Sequence, residues 1–216
     1  MPEICERINF KVHWYRLNKE LRPVNLSETH ACRAILAIHY FGFPQNLRPF
    51  KKYCENTGAI LIEDAAHSFL SRDENGKELG HESDFCLFSF RKTLFIPNGA
   101  GLKVSKKWKT KVLQNSFLKT DSPASNKIWI MKKALINNLP EFAARLRKYV
   151  RPMSKRISEL IPHNKIKPPF KGFLKALSEL NTKKEIRRRK MAWEKFRCIS
   201  EKTKIIPLHK NLPFNV

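Results

Sequence analysis

The sequence predicts an α/β domain built on a mainly parallel sheet. Short runs rich in Ile and Leu at 34–41 (AILAIHYF) and 59–63 (AILIE) are of the type buried on both faces of such a sheet. A segment with helical periodicity lies between them, and polar residues stand where the strands should end. Strand, helix and strand therefore follow one another within the length of one βαβ unit.

The elements follow in order. Residues 8–17 (INFKVHWYRL) alternate with Val and aromatic side chains, which predicts a strand. Pro44 and Pro49 open a segment in which Leu47, Phe50, Tyr53 and Cys54 recur at helical spacing. Gly58 stands where a helix C-cap belongs. Further strands are expected at 84–90 (DFCLFSF) and 101–105 (GLKVS), and the polar stretch 72–83 reads as a turn or hairpin around Glu74-Asn75-Gly76.

Composition bounds the rest. Apolar residues make up 42% of the 216, enough to bury a core. No apolar run reaches the roughly 18 residues that cross a bilayer, and acids stand in the N-terminal ten residues where a secretory signal carries bases. The five cysteines are scattered and never spaced C-x-x-C, so they read as free thiols of a cytoplasmic protein. Neither they nor the histidines have metal-ligand spacing, and no metal site is expected.

The net charge of +24 is unevenly spread. Through Val104 there are 14 Lys and Arg against 12 Asp and Glu; from Ser105 onward there are 29 against 7. From Lys127 the pattern turns helical, with Phe142, Ala143, Leu146, Tyr149 and Val150 forming an apolar stripe after Pro140. A second helix is expected over 153–161, a proline-marked linker after it, and a third helix around 172–202, where Lys183 to Lys190 carries six bases in eight residues. Such faces are either simply solvated or attract an anion, including an anionic membrane surface to which the protein would bind peripherally. No nucleic-acid motif is present, so a nucleic-acid partner is not expected.

Ligands of parallel sheets sit at the carboxyl ends of strands. His39 with Gly42, Asp64 with His67, and Ser89 with Lys92 fall at three such ends. Singly each is ordinary: an Asp capping a turn, a core His, a solvated Lys. Their arrival on successive strand ends makes them candidate site residues.

Ile62-Glu63-Asp64-Ala65-Ala66-His67-Ser68 resembles the E-D-A-A-Q/H segment of the DegT/DnrJ/StrS-type sugar aminotransferases. Ala37-Ile38-His39-Tyr40-Phe41-Gly42-Phe43-Pro44 resembles that family's V-H-x-x-G-x-P. Phe88-Ser89-Phe90 with Lys92 resembles its F-S-F…K, Pro97-Asn98-Gly99-Ala100-Gly101 its glycine turn, and Arg187-Arg188-Arg189 a basic helix start in its small domain. In this chain the lysine stands three residues after the serine rather than five, and Asn98 replaces an Asp.

The resemblance implies a partial aspartate-aminotransferase-like large domain (fold type I) over 1–120, a basic helical segment and linker over 121–170, and the start of a small domain over 171–216. It also implies that both ends of the full enzyme are missing. No glycine precedes Gly42, so the glycine-bearing helix start that grips the cofactor phosphate is not in the chain. The cofactor implied is pyridoxal 5'-phosphate. Asp64 would hold its pyridine nitrogen protonated, His67 would lie against the ring, Ser89 would bind the phosphate, and Lys92 would bind the aldehyde covalently. A lysine in that role should be buried beside cations, which favours its neutral form. His39 would face substrate. The reaction implied is amino transfer, from glutamate, to a nucleotide-linked keto-sugar in a homodimer, serving cell-surface polysaccharide or amino-sugar biosynthesis. The alternatives are a catalytically inactive truncated member and a basic protein binding anions or membrane surfaces.

Overall fold

The computed structural model describes Cys5, residues 9–94, Ile96, 98–113 and 173–203. The expected helices over 140–161 lie outside these residues. Two compact units divide the chain: Met1–Thr93 with Gly101–Asn115 and Asn181–Val216, and Leu94–Ala100 with Ser116–Leu180.

The first unit opens with a small antiparallel pair, β1 (Arg16–Leu17) and β2 (Pro23–Val24), turned by Asn18, whose side-chain oxygen accepts the N–H groups of Glu20 and Arg22. Of the strand expected over 8–17, the described residues form strand at Arg16–Leu17 alone. Trp14 is 76% exposed and Phe10 and Val12 are also exposed, so alternation there has no sheet to face. Tyr15 alone packs inward, edge-on to Phe50.

The main sheet is β3 (Ala34–Ile38), β4 (Ile60–Asp64), β5 (Phe85–Ser89) and β6 (Ala100–Val104), in that spatial order. β3 and β4 run parallel with Ile38 opposite Asp64, and β4 and β5 run parallel with Asp64 opposite Leu87. Ser105, just past β6, donates to the carbonyl of Asp84, just before β5, so β6 returns antiparallel. The alternating burial corrects the expectation of strands buried on both faces. Ile35, Ala37, Leu61, Glu63 and Cys86 are buried, while Leu36, Ile38, Ile60 and Ile62 between them are only half-buried.

The crossover helix α1 (Arg48–Thr57) lies on the buried face. Its Phe50 and Tyr53 pack with Leu26, Ile35, Ala37, Ala59 and Leu61. Gly58 ends it in the left-handed region at φ 72°, with its N–H on the Cys54 carbonyl, as the sequence predicts. Between β4 and β5 the chain has no helix. It makes the expected turn, with Asp73 accepting from Asn75 and Lys77 and Arg72 bridging to Glu78. Asp84 then fixes the start of β5: its carboxylate accepts the Leu61 N–H and the Trp108 indole N–H, anchoring helix α3 (Lys106–Leu113). One turn of helix, α2 (Phe90–Thr93), follows β5 directly.

The helix expected over 172–202 is two, α4 (Phe173–Ser178) and α5 (Thr182–Thr203). Asn181 separates them because its side-chain oxygen accepts the Lys184 N–H and caps α5. α4 belongs to the second unit, where the Phe173 ring lies so close to Gly99 that a Cβ there would clash. Among the described residues no helix is long and apolar enough to cross a membrane.

Candidate functional site

Three chain reversals build the carboxyl edge of the sheet. After β3, the His39 N–H bonds the Asp64 carbonyl at 3.0 Å, and the chain turns through a 3-10 turn, Tyr40–Gly42. Phe41 takes a left-handed conformation there at φ 56° while 75% exposed, which an aromatic residue rarely does. Gly42, at φ 95°, lies under the next reversal: a Cβ on it would stand 2.9 Å from the His67 carbonyl oxygen. Ser71 then ties the two turns by donating its hydroxyl to the Gly42 carbonyl at 2.7 Å.

After β4, Asp64 caps its own turn, Oδ1 accepting the Ala66 N–H at 3.0 Å. The turn carries His67 outward into solvent. After β5, α2 buries Phe90 against Phe69 with ring centroids 4.8 Å apart. Lys92, two residues further round that helical turn, is thereby carried to the opposite side. The Lys92 Nζ lies 3.2 Å from His67 Nε2. An ammonium has no acceptor, so Nε2 accepts and the ring proton rests on Nδ1.

The structure thus brings His67 and Lys92 together and places Asp64 and Ser89, both half-buried, at the adjoining strand ends. Lys92 is exposed, where the sequence reading expects burial, because α2 gives its inward position to Phe90. Tyr40, which the sequence reading passed over, belongs to the same edge. Burial, and then the negative charge of Asp64, push its phenol above the ordinary tyrosine value. An aromatic hydroxyl residue directly after a strand-end histidine was the available signal.

His39 occupies a different place from the one expected of a substrate contact. It is 1% exposed, and both ring nitrogens are engaged inside the fold. Nδ1 accepts the Gln45 backbone N–H at 2.9 Å, so the proton is on Nε2, which donates to Glu63 Oε2 at 2.8 Å. Gly80 N–H bonds the same oxygen at 3.2 Å, and the Gln45 side chain continues the network to Leu21 and Arg22. Burial alone would raise the Glu63 carboxyl; the hydrogen bond from His39, with the Gly80 N–H, outweighs it and holds it below the usual glutamate range. Glu63 had no role in the sequence reading, although its parity with Leu61 places it on the buried face.

Fold and edge together define an α/β sheet protein with an amine, an imidazole and a carboxylate at the carboxyl ends of neighbouring strands. Residues 21–104 match the model of the DegT/DnrJ/EryC1/StrS aminotransferase family. An uncharacterized protein of Methanocaldococcus jannaschii is 33% identical over 90 residues, 39% of this chain and 23% of that protein. The dTDP-4-dehydro-2,3,6-trideoxy-D-glucose 4-aminotransferase of Saccharopolyspora spinosa is 32% identical over 39% of this chain and 22% of its own length. The GDP-perosamine synthase of Vibrio cholerae is 32% identical over 32% and 18%. The matched segment therefore spans less than a quarter of each of these relatives. The crystal structure of AtS13 from Actinomadura melliaura aligns with a TM-score of 0.42 at 23% identity, over 48% of this chain and 31% of that one.

Proposed function

We propose that this chain carries the cofactor-binding part of a pyridoxal 5'-phosphate-dependent aminotransferase that moves an amino group, with glutamate as donor, onto a nucleotide-linked keto-sugar. The enzyme acts as a homodimer in amino-sugar or cell-surface polysaccharide biosynthesis. The observation that carries the reading is the Lys92 Nζ at 3.2 Å from His67 Nε2, beside the strand end that bears Asp64. Two of the relatives bear the names of sugar-nucleotide enzymes, which supports the substrate class.

The donor set fits this cofactor. Lys92 offers an amine reachable from solvent for its aldehyde, Asp64 a carboxylate for its pyridine nitrogen, and Ser89 a hydroxyl for its phosphate. When bound, the cofactor supplies an electron sink for the substrate carbon. Lys92 Nζ donates a hydrogen bond to His67 Nε2, which orients the amine that would act as nucleophile. Lys92 Nζ then takes and returns a proton during amino transfer, within reach of His67. Asp64, with Oδ1 held by the Ala66 N–H, keeps its carboxylate fixed at the strand end.

The test is capture of the cofactor. Pyridoxal phosphate is added to the purified chain, borohydride reduction makes any covalent link permanent, and the labelled peptide is mapped. The label is expected on Lys92, with a new absorbance band before reduction, and both are expected to vanish in Lys92→Ala. Labelling spread over the many other lysines, or unchanged in Lys92→Ala, rejects the reading.

A further inference from the structure

We infer that Arg189 is a positioning residue that holds His67 and Lys92 at their separation; its meaning for catalysis rests on the function proposed above, but its geometry does not. The side chain comes from α5 and is only 14% exposed. Its Nη1 donates to the Phe69 carbonyl at 3.0 Å, and its Nη2 to the Thr93 carbonyl at 2.7 Å. Phe69 lies two residues beyond His67, and Thr93 is the residue after Lys92. One guanidinium therefore pins the two segments that present the pair, segments which leave neighbouring parallel strands separately.

The planar fork is what makes this possible. Two carbonyls facing different nitrogens of one rigid group are held at a fixed spacing, which a lysine ammonium on a flexible stem does not reproduce. The Thr93 carbonyl ends α2 and lacks an intrahelical partner, so the contact also satisfies an orphan acceptor. The fork is oriented in turn by Glu185, whose Oε1 accepts Arg189 Nε at 2.8 Å. Hydrogen bonds from Arg188 first, and from Arg189 as well, keep the Glu185 carboxyl below its usual range despite partial burial. The adjacent Arg188 differs: it is 66% exposed and directs both its Nε and Nη2 to Glu185. The run of bases at 183–190, which reads as a solvated face, thus contains one arginine that reaches the sheet edge.

The experiment compares Arg189→Ala, Arg189→Lys and Arg188→Ala in the full chain without cofactor. Ring-nitrogen NMR of His67 reports whether Nε2 is an acceptor. The unsubstituted chain is expected to hold the proton on Nδ1. Arg189→Ala should move it toward the Nε2-protonated form, Arg189→Lys should do so in part, and Arg188→Ala should leave it in place. Covalent capture by Lys92 at limiting pyridoxal phosphate should fall about tenfold in Arg189→Ala, the loss of about one hydrogen bond to a charged group, and less than about twofold in Arg188→Ala. Arg189→Lys carries the test if Arg189→Ala does not fold. Unchanged His67 nitrogens in the Arg189 variants, or equal changes in the Arg188 variant, overturn the inference. Because the NMR needs no cofactor, failure of Lys92 to be labelled in the unsubstituted chain would sink the functional reading while leaving this result standing.

Discussion

His39→Ala is expected to lower the stability of the chain by about 3–5 kcal/mol at neutral pH, because it leaves a buried carboxylate without its partner. Glu63 is fully buried and receives the His39 Nε2–H. Glu63→Gln should cost far less, about 1 kcal/mol, since an amide oxygen still accepts from His39 and Gly80 and no charge remains to be solvated. Acid separates the two variants further. In the unsubstituted chain the folded Glu63 titrates below its ordinary value, so its contribution is complete above the ordinary glutamate range and is lost as pH falls through the depressed folded value. In His39→Ala only the Gly80 N–H is left to oppose burial, so protonation relieves the strain and stability should rise on mild acidification. Urea midpoints at neutral and acidic pH measure both. A His39→Ala chain as stable as the parent at neutral pH would mean that the pair is not closed in solution.

Gly42→Val should destabilise by about 3 kcal/mol and also disturb the candidate site. The position combines a backbone conformation closed to a β-branched residue with a Cβ that would meet the His67 carbonyl oxygen at 2.9 Å. The obstacle is backbone, so relief requires the 65–68 turn to move, and His67 moves with it. The Ser71 bond to the Gly42 carbonyl transmits the same displacement. Thermal unfolding and Lys92 capture should therefore both decline in Gly42→Val. Ala at Gly58, which has open space around its Cβ position, should cost only the left-handed strain and leave capture intact. Equal effects of the two substitutions on capture would show that Gly42 acts through stability alone.

The parallel core was readable because its signals are local. β3, α1 and β4 each carry their own periodicity, and Gly58 marks the helix end through a conformation that few other residues adopt. The 8–17 segment was misread because alternation specifies a strand only where a partner and a buried face exist, and Trp14 has neither. The strand-end residues were legible as a set, since parallel strands of similar length place their ends together. Their surroundings were not. Whether His39 points outward or down depends on Gln45 six residues on and Glu63 across the sheet. The fork of Arg189 reaches across 120 residues to Phe69, a separation at which periodicity carries no information. The exposure of Lys92 likewise follows from the side of α2 that Phe90 claims, which is decided by packing.

Among the described residues β3 is the outer strand of its sheet, and this has a bearing on solubility. Its bonds to β4 use Arg33 and His39, so the odd-numbered residues between them share that side and Ala34, Leu36 and Ile38 turn their amides away. Along that rim Tyr15 covers the Leu36 carbonyl, and the strand AILAI contains neither a charge nor a proline to discourage another chain from adding to it. What opposes self-association is the net charge of +24, which repels copies at long range. Salt removes that protection, since screening acts over about 10 Å at 0.1 M, while the amide rim is untouched by it. Light scattering should therefore grow as salt is added near neutral pH, and a proline at Leu36 should suppress the growth; a solution that stays clear at high salt would mean the rim is already covered.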